Sequence, residues 1–175
     1  MTTERRIPET WFRASGQHTT MAFISGTHQA RTTPLGPGER RLGWFVLPPF
    51  QRPPVWTLAQ QVRFLESCWM GLPIGVFIYN RTANDGPYDS WLLDGQQRVT
   101  AVLAYMADAF PVFGYRFSEL TQADLRKWSM AVAFPCMMTN LESEDQLREV
   151  YDRLAYGGTP HEPKSPLANA TQESE

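Results

Sequence analysis

No run of this sequence approaches the ~18 consecutive apolar residues that a membrane-spanning helix needs. The opening stretch, MTTERRIPETWF, also lacks the apolar segment of a secretory leader. A cytoplasmic setting is the expectation, with no membrane partner. Cysteine is scarce: Cys68 and Cys136 alone make no disulfide framework, and both lie among apolar residues, as core thiols do. Histidine is scarce too. His18, His28 and His161 show no metal-ligand spacing, which argues against a structural zinc site and an HNH-type metal nuclease. Lysine occurs only at Lys127 and Lys164, against fourteen arginines. Charged residues make up 19% of the chain and the net charge is −2, so a globally basic nucleic-acid protein is excluded. A local basic patch is not excluded. Residues 1–63 carry eight arginines against three glutamates, and the acidic excess lies after them.

What is present is a core. Hydrophobic residues make up 42% of 175 residues, and 13% are aromatic, enough for one folded domain. Residues 1–40 read as a polar, largely irregular segment in which only MAFIS (21–25) suggests a strand. Residues 162–175 read as a disordered acidic tail. Between them the patterns alternate. Strands are expected at 44–47, 74–79, 91–94 and 131–138, with Pro135 placing the last at an edge or a bulge. Helices are expected at 58–70 behind Thr57, from Gln96 to about Ala109, over TQADLRKWSM behind Ser118 or Thr121, and from Ser143 to Leu154. The fold class is α+β.

Two segments carry chemistry. In WLLDGQQRVTAVLAYM (91–106) a buried strand delivers Asp94 to its end, Gly95 permits a tight turn, and a helix begins at once. Unpaired N–H groups at a helix start attract anions. Arg98 can present a fork to phosphate oxygens, and Gln96 or Gln97 can position a water or read a base edge. Asp94 can hold Mg²⁺ or orient a water. An ordinary strand–turn–helix with a solvated first turn fits the same spacing. In LPPFQRPPVW (47–56), four prolines stiffen the backbone around Gln51 and Arg52, as a ligand clamp or as a rigid connector.

These two boxes in this order, LPPFQRPPVW and, after an LPIG strand entry, DGQQR opening a helix, resemble the N-terminal domain family of GmrSD-type restriction systems, within the ParB/sulfiredoxin-like superfamily. A third box, VYDRLAYGGTPH (150–161), resembles the family's later motif, with Ala155 where Asn is common and His161 where an apolar residue is usual. The resemblance covers about residues 44–161, within one domain placed at 41–161, and implies a small mixed sheet with packed helices. It also implies a module that binds, and in many members hydrolyses, a nucleoside triphosphate with Mg²⁺. By position it gives nucleotide binding to Gln51, Arg52, Gly95, Gln96, Gln97 and Arg98. Catalysis falls to Asp94, Gln97 and Arg98, with Asp94 on the metal, and Gly157 and Gly158 match the third box. The chain ends soon after that box, so a stand-alone module is expected, acting with DNA or with a partner protein such as a nuclease or a host factor. A non-catalytic DNA- or protein-binding module and a metal-dependent DNA nuclease are the alternatives. Gly38-Glu39-Arg40-Arg41 matches a phosphate motif of ParB in letters but not in context, and its arginines read as solvated. Oligomeric state is not readable from the sequence.

Overall fold

The strands of this chain are three or four residues long, and helices pack on both faces of the central pair. The computed structural model describes residues 11–26, 34–83 and 86–156. In chain order the elements are β1 (Ser15–Gln17), α1 (Met21–Ser25), β2 (Arg40–Leu42), β3 (Phe45–Leu47), α2 (Leu58–Trp69), β4 (Phe77–Asn80), β5 (Leu92–Asp94), α3 (Gln96–Met106), α4 (Gln122–Met130), β6 (Cys136–Thr139) and α5 (Glu144–Tyr156). The main sheet has the order β1-β6-β4-β5. β6 runs parallel to β4, and the β1–β6 and β4–β5 pairs are antiparallel, so the sheet is mixed. β2 and β3 form a separate hairpin across Gly43 and Trp44. That hairpin reaches the sheet where Val46 N donates to Ser90 O at 2.9 Å. The α+β, single-domain expectation holds.

The two-residue period of a strand explains the layers. Phe45 and Leu47, Phe77 and Tyr79, and Leu92 face one core, together with α1, α2, α3 and α4. Their neighbours Val46, Ile78, Trp91 and Leu93 face a second cluster under α5, with Leu147 and Val150. Strands buried on both sides read as continuous apolar runs rather than as alternations. Each fully buried large side chain, such as Phe77 or Leu65, stabilises the fold by about 1.5–3 kcal/mol. The free thiols Cys68 and Cys136 are buried in the first core, as expected.

Local signals set most boundaries. Thr57 caps α2 in a reciprocal box with Gln60, and Thr121, rather than Ser118, caps α4 with Asp124. Three readings need correction. Residues 21–25, expected as a strand, form the one-turn helix α1. Five residues are too few to show a period, and burial of Met21 and Ile24, three apart, fits a helix. The strand expected from Ile74 starts at Phe77, because Gly75 sits at φ +75° and turns the chain. The strand expected from Ala131 starts only after Pro135, which has no N–H to give a ladder, and it lies between β1 and β4 rather than at an edge. β1 and β2 were not foreseen. Residues 157–175, including the expected tail, lie outside the described residues.

At the far end of β4, Asn80 is fully buried and fully used. Its Nδ2 donates to Tyr88 O at 3.1 Å and to Leu141 O at 2.9 Å. Its Oδ1 accepts from Thr139 Oγ1 at 2.7 Å and from Leu141 N at 2.8 Å. One amide thus ties the loop before β5 to the end of β6.

Candidate functional site

At the opposite end of the β4–β5 pair, Asp94 closes β5 and Gly95 turns the chain into α3. Gly95 is the helix N-cap, at φ +96°, a left-handed conformation that other residues adopt only with strain. A Cβ there would stand 2.5 Å from the Cβ of Phe77. Glycine is therefore needed both for the turn and for the close pass over β4. It also brings no side chain to cap the helix, so the first N–H groups of α3 are left for a ligand or water.

A cleft of about 220 Å³ opens at this turn. It is lined by Gln51, Arg52 and Trp56 of the prolyl turn, by Leu93 through Arg98, and by Tyr151, Leu154 and Ala155 of α5. All three boxes, far apart in sequence, meet here. Every residue assigned to the site from sequence lines the cleft. Gly157, Gly158 and His161 lie outside the described residues.

Two of the lining amides are buried and incompletely bonded. Gln51 is 7% exposed and Gln96 5%. Gln51 Oε1 and Gln96 Nε2 have no hydrogen-bond partner among the described residues. Leaving a buried polar atom unpaired costs about 1–3 kcal/mol, so such atoms in a cleft are what a ligand would satisfy.

The other polar side chains are partly committed. Arg98 is 17% exposed. Its Nη2 donates to Asp94 Oδ2 at 2.8 Å and its Nη1 to Ile74 O at 3.1 Å. Its fork is thus turned onto the end of β5 and the 74–75 turn, and what it offers the cleft is positive charge. Gln97 Oε1 accepts from both Val55 N and Trp56 N, each at 3.0 Å, which fastens the prolyl turn to α3. The same turn is held at Arg52 N by Tyr151 Oη at 3.2 Å. Arg52 itself is exposed. Its guanidinium has no ion pair among the described residues, which makes it the available cation at the rim.

Sequence reading missed two contributors. Tyr151 lies one helical turn before Ala155, so its i, i+4 spacing put it on the same face. Arg40, read as solvated, is half-buried and donates from Nη2 to Gln51 O at 2.6 Å. No local pattern marked that contact, because it depends on how the β2–β3 hairpin folds back on the turn.

Asp94 is the acid within the cleft, and among the described residues no three His, Cys, Asp or Glu side chains gather to hold a metal. A protein-only metal site does not fit these residues. Mg²⁺ arriving on a polyphosphate does fit, since it commonly needs only one or two protein carboxylates. Among the described residues, no helix is long and apolar enough to cross a membrane.

The sequence model of a family described as GmrSD restriction endonuclease, N-terminal domain, matches residues 38–169, a span that begins at the Gly38 turn and takes in all three boxes. No curated protein and no solved structure matches the chain.

Proposed function

The chain belongs to the family of GmrSD restriction endonuclease N-terminal domains, which associates it with restriction and phage defence, and from that membership and the cleft we propose that it is a nucleoside triphosphate-binding module. One observation carries the proposal. Two glutamines that line the cleft at the uncapped start of α3 are each more than nine-tenths buried, and each has a polar atom with no partner among the described residues. The helix start favours an anion by its N–H groups and dipole. Arg52 supplies an exposed cation of the lining, and Arg98 one held by Asp94 and Ile74. An amide can turn over to present its NH₂, so Gln51 as well as Gln96 can donate to phosphate oxygens.

The cleft's size supports a division of the ligand. About 220 Å³ is below the roughly 300–1,000 Å³ usual for a whole small-molecule site. The enclosed part is the phosphate chain, and the nucleoside lies towards the open rim. Mg²⁺ bound to the phosphates would share Asp94 with Arg98 and would neutralise phosphate charge. If the phosphates are hydrolysed, Asp94 is the carboxylate of the lining that could take a proton from water, because the glutamine amides are not basic. DNA binding through Arg40 gains no support from a guanidinium that is half-buried on a backbone carbonyl.

Titration calorimetry with the four nucleoside triphosphates and Mg²⁺ tests the reading. Saturable heat is expected for at least one of them, weakened about tenfold or more in Arg52→Ala, as loss of a charge-assisted contact implies. Absence of heat with all four would end the proposal. Phosphate release under the same conditions, compared with Asp94→Asn, reports whether binding is followed by hydrolysis.

A further inference from the structure

The Gly38–Arg41 stretch has no place in the cleft lining, yet one of its side chains reaches the cleft's wall. Arg40 lies on β2, opposite Leu47 in the hairpin register. Its Nη2 donates to Gln51 O at 2.6 Å. Gln51 N donates to Pro48 O at 3.0 Å. The backbone of Gln51 is thus fixed on both sides, by its own turn and by a guanidinium from another element. Its side chain is buried among the residues that line the cleft, and its Oε1 has no partner among the described residues.

We propose that Arg40 is a positioning residue for ligand binding, acting through Gln51. This rests on the cleft being a nucleotide site. Arg40 does not line the cleft, and the phosphate need not touch it. Its contribution is to hold the Gln51 carbonyl, and with it the direction of the Gln51 side chain, so that the amide is presented before the ligand arrives. Preorganisation of this kind lowers the cost of ordering at binding. A lysine can reach a carbonyl with one donor but lacks the planar fork, so it replaces arginine in part.

A double-mutant cycle tests this. Nucleotide affinity is measured by calorimetry for the wild type, Arg40→Met, Gln51→Ala and the double variant, with Arg40→Lys as the conservative control. Arg40→Met is expected to weaken binding about tenfold, the worth of one well-made hydrogen bond to a charged group. Arg40→Lys should recover much of the loss, and Arg40→Met should add nothing once Gln51 is alanine. Equal losses in both backgrounds would mean that Arg40 acts on the ligand directly, and no loss in either would mean that it does not act. Both results overturn the proposal.

A second readout needs no nucleotide. Hydrogen exchange of the Gln51 side-chain amide should be faster in Arg40→Met, at an unchanged thermal midpoint. Unchanged exchange overturns the proposal as well. If the wild type binds no nucleotide, the functional reading of the cleft fails by itself, and exchange still decides whether Arg40 orients Gln51.

Discussion

The β4–β5 pair carries a buried amide cluster at each end, and the two are built on opposite plans. At the Asn80 end, one side chain makes four hydrogen bonds and leaves none of its capacity unused. At the Asp94 end, Gln51 and Gln96 are buried nearly as deeply, yet each keeps a polar atom without a partner among the described residues. A saturated network rigidifies a fold. An unsaturated one raises the energy of the empty state and lowers it again only when a partner arrives. The same residue chemistry is therefore structural at one end of the strands and receptive at the other. The difference lies in how many partners the fold supplies.

The largest effect is expected where saturation is complete. Asn80→Ala would strand Thr139 Oγ1, Leu141 N and two carbonyls away from water. It should lower unfolding free energy by about 4 kcal/mol, the sum expected when several buried groups lose partners together. Urea unfolding measures it. A loss below about 1 kcal/mol would mean that water replaces the amide, and the contrast between the two ends would collapse.

Gly95→Ala comes next and joins both ends of the argument, since Gly95 packs on β4 and opens the cleft. The left-handed backbone and the contact with Phe77 together should destabilise by about 3 kcal/mol. Folded protein that survives should bind nucleotide poorly, because the start of α3 has moved. Normal affinity in a destabilised Gly95→Ala protein would show that the turn matters for packing alone.

The buried thiols test whether burial without good partners marks a site by itself. Desolvation pushes the Cys68 thiol up to about 12 and raises Cys136 as well. An unfolded thiol ionises near its ordinary value of about 8.5. The folded pKa is therefore the higher one. The stability linked to the neutral thiols is intact below about pH 8.5 and is lost as pH rises towards 12. Guanidinium midpoints should fall steadily across that window, and less steeply in Cys68→Ala. A flat profile would contradict the burial of these groups. Neither thiol lines the cleft, so burial is informative only beside an opening that a ligand can enter.

Gln97→Met removes the acceptor that two backbone N–H groups share and should cost about 1.5 kcal/mol. Exchange of the Val55 and Trp56 amides should quicken while α2, with its own Thr57 cap, stays protected. Protection that persists would show another partner for the turn and would remove Gln97 from the cleft's framework.

Much of this architecture was legible in the residues, and the reasons are local. Thr57 and Thr121 cap helices as their side chains dictate, and Asp94-Gly95 ends a strand and opens a helix where glycine alone fits. The first two boxes named seven of the residues that line the cleft, Gln51, Arg52 and Asp94 through Arg98. What stayed hidden depends on contacts across the chain. Nothing in the letters separates the two glutamines of DGQQR, yet Gln96 is buried with a free donor while Gln97 is spent on the prolyl turn. Arg98 resembled a phosphate fork because Asp94, four residues earlier, and Ile74, twenty-four residues earlier, were not visible as its partners. Arg40 resembled a surface charge because the Gly43 turn that folds β2 over Gln51 connects two strands of three residues each, too short to show a period.

Gln96 gives the smallest change in stability and the sharpest test of the contrast. If its Nε2 is an unpaired donor, Gln96→Met removes a desolvation penalty and keeps most of the side chain's volume. Stability should then stay within about 1 kcal/mol of wild type, since losing an unsatisfied group with a shape-preserving substitution is nearly neutral. Nucleotide affinity should fall about tenfold or more, because the ligand loses the donor it would have paired. Chemical unfolding and calorimetry on one preparation give both numbers. A variant that is 3 kcal/mol less stable would reveal that Gln96 is saturated like Asn80, and the cleft would then be one more structural junction. A variant with unchanged stability and undiminished affinity would leave Gln96 unpaired without purpose, and the receptive end of the strands would have to be sought at Arg52 and the uncapped α3 start alone.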